Sequence, residues 1–428
     1  MSLADSTTAV ETVFRMEFPR VVAALARLAN DLDLAEELAQ EALVDALRQW
    51  PRDGVPANPG AWLTSVGKRK AIDRFRRDRT LADKYSQLAR TLERAGAHGA
   101  EPSALDDDVM EDDRLRLIFV ACHPLLPLAS RVALTLRVVG GLTTAEIARA
   151  YVVPEPTIGQ RIVRAKRQIA RAAVPFEVPV GPERAARLES VLEVVYLIFN
   201  EGYSATAGED WLRPELCAEA LRLGRILAAM SPDDAEVHGL VALMEFNASR
   251  VRARIGPDGA VVVLADQDRR RWDRLLIGRG EAALRRADEL SPTRGPYTLQ
   301  AAIAACHARS FRPDETDWPE VVALYDLLAS ATPSPIVELN RAVAVSMATG
   351  PATALPLVEQ LSELGVLDRY HLLHAVHGDL LDKLGRHAEA AAAFRRAADL
   401  AQNAPERHLM LRRAELAGGE ADDGDRVG

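Results

Sequence analysis

The sequence predicts an all-α protein: a helical domain, a flexible linker, a helix-turn-helix domain and a C-terminal helical-repeat domain. Three observations carry that reading. Apolar residues recur at spacings of three and four, as at Ile158, Ile162, Ala165 and Ile169, which is the period of a helix face rather than a strand. Aromatics make up only 5% of the chain while Ala, Leu, Arg and Glu abound, favouring helix over sheet. Clusters of Pro and Gly at 51–60 and 174–183 punctuate the periodic segments. With 428 residues and 48% hydrophobic content, the chain can bury cores in two or three domains.

The first domain spans 1–80. Residues 9–29 form an amphipathic pattern, and after NDLD a second helix runs over about 33–50 until Pro51 stops it. That second helix buries Leu38, Ala42, Leu43, Ala46, Leu47 and Trp50, and carries an acidic row of Glu37, Glu41 and Asp45 with Gln40 and Arg48 beside it. Like charges four apart mildly destabilise a helix. Solubility explains the row blandly; a docking surface for a basic partner explains it more sharply. Asp33 and Glu36 read as capping and dipole residues of the first turn. A third helix, about 60–79, has Asn58 as its N-cap and Pro59 as its first residue. It bears Lys68, Arg69, Lys70, Arg74, Arg76, Arg77 and Arg79 against Asp73 and Asp78. Its apolar residues point two ways, as expected of a helix packed on two neighbours. Alone, such a basic helix is as often a solvated face as a site.

Residues 81–113 drift into a polar, acidic run that reads as linker. Helical pattern resumes at Arg114, opening a domain over 114–173 whose segment 142–171 reads as helix-turn-helix. Thr143 and Glu146 have capping-box spacing, and Pro154 and Pro156 end one helix and begin the next. On the second helix Gln160, Arg164, Arg167 and Arg171 lie opposite the isoleucines, with Arg161 at the edge. No carboxylate occurs from Pro156 to Pro175, although the chain carries a net charge of −9. A cationic face inside an acidic chain suits phosphate. With its amino end in a major groove, that helix would bring Glu155, Thr157, Gln160, Arg161 and Arg164 toward base edges or phosphates, and Lys166, Arg167 and Arg171 toward phosphates. A solvated helix with snorkelling arginines is the bland alternative.

A hinge is read at 174–183, and a helical domain over 184–415 with one short hairpin near Gly256-Pro257-Asp258-Gly259. Gly378, Leu381, Ala390, Phe394 and Ala397 sit at tetratricopeptide spacing, though His374 and His377 stand where that pattern wants Trp and Leu. Stacked helix pairs of this kind give concave surfaces suited to a protein or peptide partner. The tail 416–428 reads as disordered.

The three cysteines, Cys122, Cys217 and Cys306, are far apart and show no metal-ligand spacing, reading as buried thiols in a cytoplasmic protein. His371, His374 and His377 have no carboxylate among them, and the first and last diverge by about 120° on a helix. No metal or cofactor is expected, no nucleophile–base or phosphate-loop motif stands out, and no segment has membrane-spanning length.

DLAEELAQEALVDALRQWP, NPGAWLTSVGKRKAIDRFRRDR and the helix-turn-helix ending TIGQRIVRAKRQI together resemble regions 2 and 4 of an extracytoplasmic-function (ECF) sigma factor, in family order. NEGYSATAG, LADQDRRRWD, GPYTLQAAIAACHA, TDW and SPIVELNRAVAV resemble the subgroup with a tetratricopeptide-like C-terminal extension. The resemblance implies that Glu37, Gln40, Glu41 and Asp45 face the β′ clamp helices of core RNA polymerase, with the β flap as a further contact. It implies that the loop 51–60, with Asn58, captures a flipped −10 base, and that Lys68, Arg69, Lys70, Asp73, Arg74 and Arg77 contact the −10 region. Residues 155–167, including Lys166, would read the −35 element of double-stranded promoter DNA. Two departures bear on this: three prolines stiffen the loop, and Lys68-Arg69-Lys70 stands where ECF factors often carry asparagine. Two competing readings are a ligand-sensing helix-turn-helix repressor and an enzyme with a DNA-binding head. The acidic helix beside a second basic helix argues against the first, and the absence of a recognisable catalytic pocket against the second.

Overall fold

The computed structural model describes residues 17–77, 104–151, 153–205, 211–257 and 259–427. Among them every named element is a helix, with an antiparallel bridge between Ile255 and Val261 and a further bridge residue at Asn403. Two compact units divide between Val195 and Tyr196. Residues 9–16 of the first expected helix and 81–103 of the expected linker lie outside the described residues.

The first unit begins with α1, residues 17–29, whose Val21, Val22 and Leu25 are fully buried. Asn30, at φ +49°, turns the chain. Asp31 then caps α2 (Leu32–Asp53), accepting from the amides of Asp33 at 2.8 Å and Leu34 at 3.1 Å. Asp31 therefore takes the capping role expected of Asp33 and Glu36, which are engaged elsewhere. In α3 (Pro59–Arg77) Asn58 accepts from the Ala61 amide at 3.0 Å. Trp62 meets Trp50 of α2 edge-on at 5.3 Å, and a Cβ on Gly67 would lie 2.7 Å from Leu25 of α1. Two neighbours thus account for the two apolar directions of α3.

Helix α4 (Ala104–Ala121) starts earlier than the sequence indicates, so residues 104–113, read as linker, are its first ten. Asp113 belongs to this polar stretch yet is buried, held by Arg27 at 3.0 Å and Arg116 at 2.6 Å. Paired burial of this kind is invisible to a hydrophobicity pattern. α5 (Leu128–Val138) leads to α6 (Thr144–Ala150), which opens on the expected capping box: the Glu146 amide donates to the Thr143 hydroxyl and the Thr143 amide to the Glu146 carboxylate. α7 (Glu155–Arg171) buries Ile158, Ile162, Ala165 and Ile169. After the breaker cluster comes α8 (Gly181–Tyr203), whose first half packs within this unit: Arg187 donates to the Phe119 carbonyl at 3.1 Å and Ser190 to the Cys122 carbonyl at 2.5 Å.

The second unit holds α9 (Pro214–Met230), α10 (Ala235–Ser249), α11 (Arg274–Leu290), α12 (Pro296–Arg309) and α13 (Trp318–Ala331). The expected hairpin between α10 and α11 is reduced to the Ile255–Val261 bridge, with Gly259 at φ +78°. α14 (Pro335–Thr349) is followed by α15 (Pro351–Glu363), α16 (His371–Lys383), α17 (His387–Leu400) and α18 (Ala404–Val427). Phe246, Trp272, Ile303 and Leu324 belong to one core cluster, and Leu339, Val358, Leu373, Phe394 and Met410 to another. A Cβ on Gly378 would come within 2.9 Å of the Phe394 ring, so α16 and α17 touch closely there. The tail expected to be disordered from 416 continues as helix to Val427, because Met410, Ala414 and Ala417 carry a buried stripe to its base. Among the described residues no helix is long and apolar enough to cross a membrane.

Candidate nucleic-acid interface

The acidic row of α2 and the basic residues of α3 meet side by side. Arg74 reaches Glu37 at 2.8 Å, and Lys70 bridges Asp45 at 3.0 Å and Glu41 at 3.4 Å. The Asp45 hydrogen bond, aided by Glu41, raises the Lys70 pKa despite partial burial. Gln40, Arg69 and Asp73 are exposed, Lys68 is half-buried, and the Arg77 side chain lies outside the described residues. Two surfaces expected to serve different partners are therefore each other's counter-ions. An exposed pair such as Arg74–Glu37 contributes at most about 1 kcal/mol, so either side of it can be exchanged for a stronger ligand.

Helix α7 is arranged differently. Glu155, Gln160, Arg164, Arg167 and Arg171 are exposed, with Thr157 and Arg161 half-buried at the edge. Among the described residues none of Arg161, Arg164, Arg167 and Arg171 makes an ion pair. Arg164, Arg167 and Arg171 line one shallow concavity with Gln168, whose amide donates to the Leu125 carbonyl at 3.0 Å. This is an uncompensated guanidinium row opposite a buried isoleucine stripe.

Lys166 departs from its expected place on that row. It is only 8% exposed and points inward, its Nζ bonded to Asp33 at 2.9 Å and to Glu36. Burial lowers its pKa, but Glu36 and then Asp33 outweigh that and leave it raised. Glu36, itself 5% exposed, also accepts from Arg137 of α5 at 2.8 Å. Arg137 in turn lies over the Phe18 ring of α1 at 5.6 Å. One carboxylate of α2 thus ties down two cations of the helix-turn-helix domain.

Sequence reasoning missed Glu36, Asp33 and Arg137 as an ionic cluster. The available signal was positional: Glu36 falls on the Leu32–Ala39 stripe and Lys166 on the Ile162–Ile169 stripe, charges where a core face wants none. The three cysteines are free and buried, and burial pushes each thiol up to about 12, leaving no reactive thiolate. Of the histidine series, His371 pairs with Glu406 at 3.0 Å and His374 bonds the Asp368 carbonyl at 3.0 Å. No metal-binding group occurs among the described residues.

Comparison with known proteins adds three family matches: Sigma-70 region 2 over residues 13–80, Sigma-70 region 4 over 116–169, and a family of unknown function, DUF6596, over 187–288. An uncharacterized protein of Rhizobium meliloti (strain 1021) is 47% identical over 400 residues, covering 91% of both chains. The ECF RNA polymerase sigma factor SigK of Mycobacterium ulcerans (strain Agy99) is 29% identical over 149 residues, 35% of this chain and 76% of that protein. No solved structure matches the chain.

Proposed function

The chain belongs to the sigma-70 family, in the extracytoplasmic-function class with a C-terminal helical extension, and from that premise we propose how its parts divide the work of starting transcription. As a sigma factor it binds core RNA polymerase and promoter DNA. In our reading α2 docks on the β′ clamp helices through Glu37, Gln40, Glu41 and Asp45. The loop before α3, with Asn58, holds a flipped −10 base, a displacement that costs a few kcal/mol. Lys68, Arg69, Lys70, Arg74 and Arg77 bind the −10 phosphates, and α7 reads the −35 element through Glu155, Thr157, Gln160, Arg161, Arg164 and Arg167. The observation that carries this reading is the arginine row of α7, which makes no ion pair among the described residues.

Lys166 we assign to a different task. The −35 and −10 elements lie about 25 base pairs apart, roughly 85 Å of duplex at ~3.4 Å per pair. With Lys166 bonded to Glu36, α7 lies against α2, so both elements cannot be engaged at once. Promoter binding therefore requires the cluster to open. Residues 78–103 number 26, enough to span roughly 90 Å at full extension. Polymerase would supply the energy by holding the two regions apart, and the second unit would regulate that step in cis.

Capture of β and β′ subunits by the purified chain, followed by transcription from a −35/−10 template, tests the reading. Neutralising Glu37, Glu41 and Asp45 together should abolish capture and transcripts. A chain that binds promoter DNA tightly by itself and starts no transcript with core polymerase is a repressor.

A further inference from the structure

A cavity of about 280 Å³ lies within the second unit, at the lower end of the sizes that hold small ligands. Its wall gathers sequence segments that the transcription machinery leaves unused. LADQDRRRWD supplies Arg269, GPYTLQAAIAACHA supplies His307, TDW supplies Trp318 and SPIVELNRAVAV supplies Val343. More than seventy positions of chain therefore fold back to line one space.

The electrostatics of that wall are unbalanced. Arg269 is 3% exposed, and its guanidinium donates only to neutral acceptors: the His307 carbonyl at 2.9 Å, the Ser310 carbonyl at 3.1 Å and the Thr316 hydroxyl at 3.1 Å. Its Nε is buried without a partner. Asp314 and Glu315 bias it electrostatically but lie beyond ion-pair distance, and Asp314 is paired with Arg312. Lys383 and Arg413 share a single carboxylate, Asp379. His307, packed edge-on against Trp318 at 5.2 Å, is held neutral by burial and by Arg250 and Arg269, its pKa lowered to about 3. The lining thus carries three cations against one anion. A buried cation without a counter-charge is costly, and a bound anion would offset that cost.

Apart from Ser346, whose buried hydroxyl finds no partner among the described residues, the rest of the wall is apolar. Trp318, Val343, Met347, Val376 and Leu380 face the space, and Val343 and Met347 are also partly open to solvent. An inorganic anion would leave these side chains unused; a neutral apolar molecule would leave the cations unused.

We propose that this cavity is a binding site for a small, largely apolar molecule bearing one carboxylate. Such a ligand would place its chain against Trp318, Val343 and Met347 and its carboxylate toward the cationic side of the wall. The site does not depend on the polymerase reading, because it is tested on the full chain alone.

Titration calorimetry with decanoate, decanol, decylamine and inorganic phosphate, followed by Trp fluorescence, tests it. Decanoate should bind at least about tenfold tighter than decanol, since a charge-assisted hydrogen bond is replaced by a neutral one. Decylamine and phosphate should show no binding at the same concentrations. Arg269→Met risks the fold through its three lost hydrogen bonds, so the variants are Val343→Glu and Met347→Glu at the open edge. With helicity and melting retained, each should weaken decanoate at least about tenfold by setting a charged, strongly hydrated group where the alkyl chain packs. Decanol binding as tightly as decanoate, no probe binding below millimolar, or undiminished binding by both folded variants overturns the proposal.

Discussion

Buried charge is handled in opposite ways at two sites, one in each unit, although the second unit also holds a paired example in Arg213 and Glu201. In the first, Lys166 and Arg137 leave water only in company with Glu36. In the second, Arg254 and Arg269 are also buried and, among the described residues, meet no carboxylate at ion-pair distance. Arg254 lies between two aromatic rings, 3.5 Å from the Tyr203 centroid and 4.0 Å from that of Trp211, and burial pulls its pKa down. A paired buried charge holds two elements in one register, and it can be released when a better partner arrives. An unpaired one is tolerated only where rings, neutral acceptors or an outside ligand substitute for the missing anion.

The largest effect is expected at Glu36. Glu36→Ala strands Arg137 and leaves Lys166 only the largely exposed Asp33, and breaking a buried pair in this way costs roughly 3–5 kcal/mol. The cost appears as release of α7 from α2, measured as lost hydrogen-exchange protection of the α7 amides. Lys166→Met should be much milder, because Glu36 keeps Arg137 and the methionine fits the apolar stripe. Equal losses in the two variants would remove Glu36 as the hub.

Arg254→Met sharpens the other half of the comparison. It removes stacking on Tyr203 and Trp211, worth about 0.5–2 kcal/mol, but also removes the burden of an unpaired buried cation. The melting temperature of the full chain should therefore fall less than for Glu36→Ala. A larger fall would mean that an acid does serve Arg254.

Legibility in the sequence followed the same divide. The capping box at Thr143 and Glu146, the Asn58 cap and the isoleucine stripe of α7 were readable, because each depends on residues three or four apart. The acidic row of α2 was also readable as a pattern. Its pairing with Lys70 and Arg74 was not, since that depends on how α2 and α3 lie together. Lys166 was misplaced for a related reason: it sits among arginines in sequence but on the core face in space. Asp113 and the start of α4 were missed because paired carboxylates in a polar stretch carry no periodic signal. The cavity of the second unit was the least legible, since its wall is assembled from segments dozens of residues apart.

The smallest stability effect belongs to the exposed pairs, and there function and stability should separate. Arg74 and Glu37 are both about half exposed where they meet at 2.8 Å, so Arg74→Met should change the melting temperature by no more than a loss of about 1 kcal/mol allows. In complex with core polymerase the same substitution should lower the salt slope of promoter binding by about 0.9, one phosphate contact. That combination would follow from a pair that exists to be exchanged, with Glu37 passing to the polymerase as Arg74 passes to DNA. A melting loss as large as that of Glu36→Ala, or a salt slope left unchanged, would place Arg74 in the scaffold of the first unit instead.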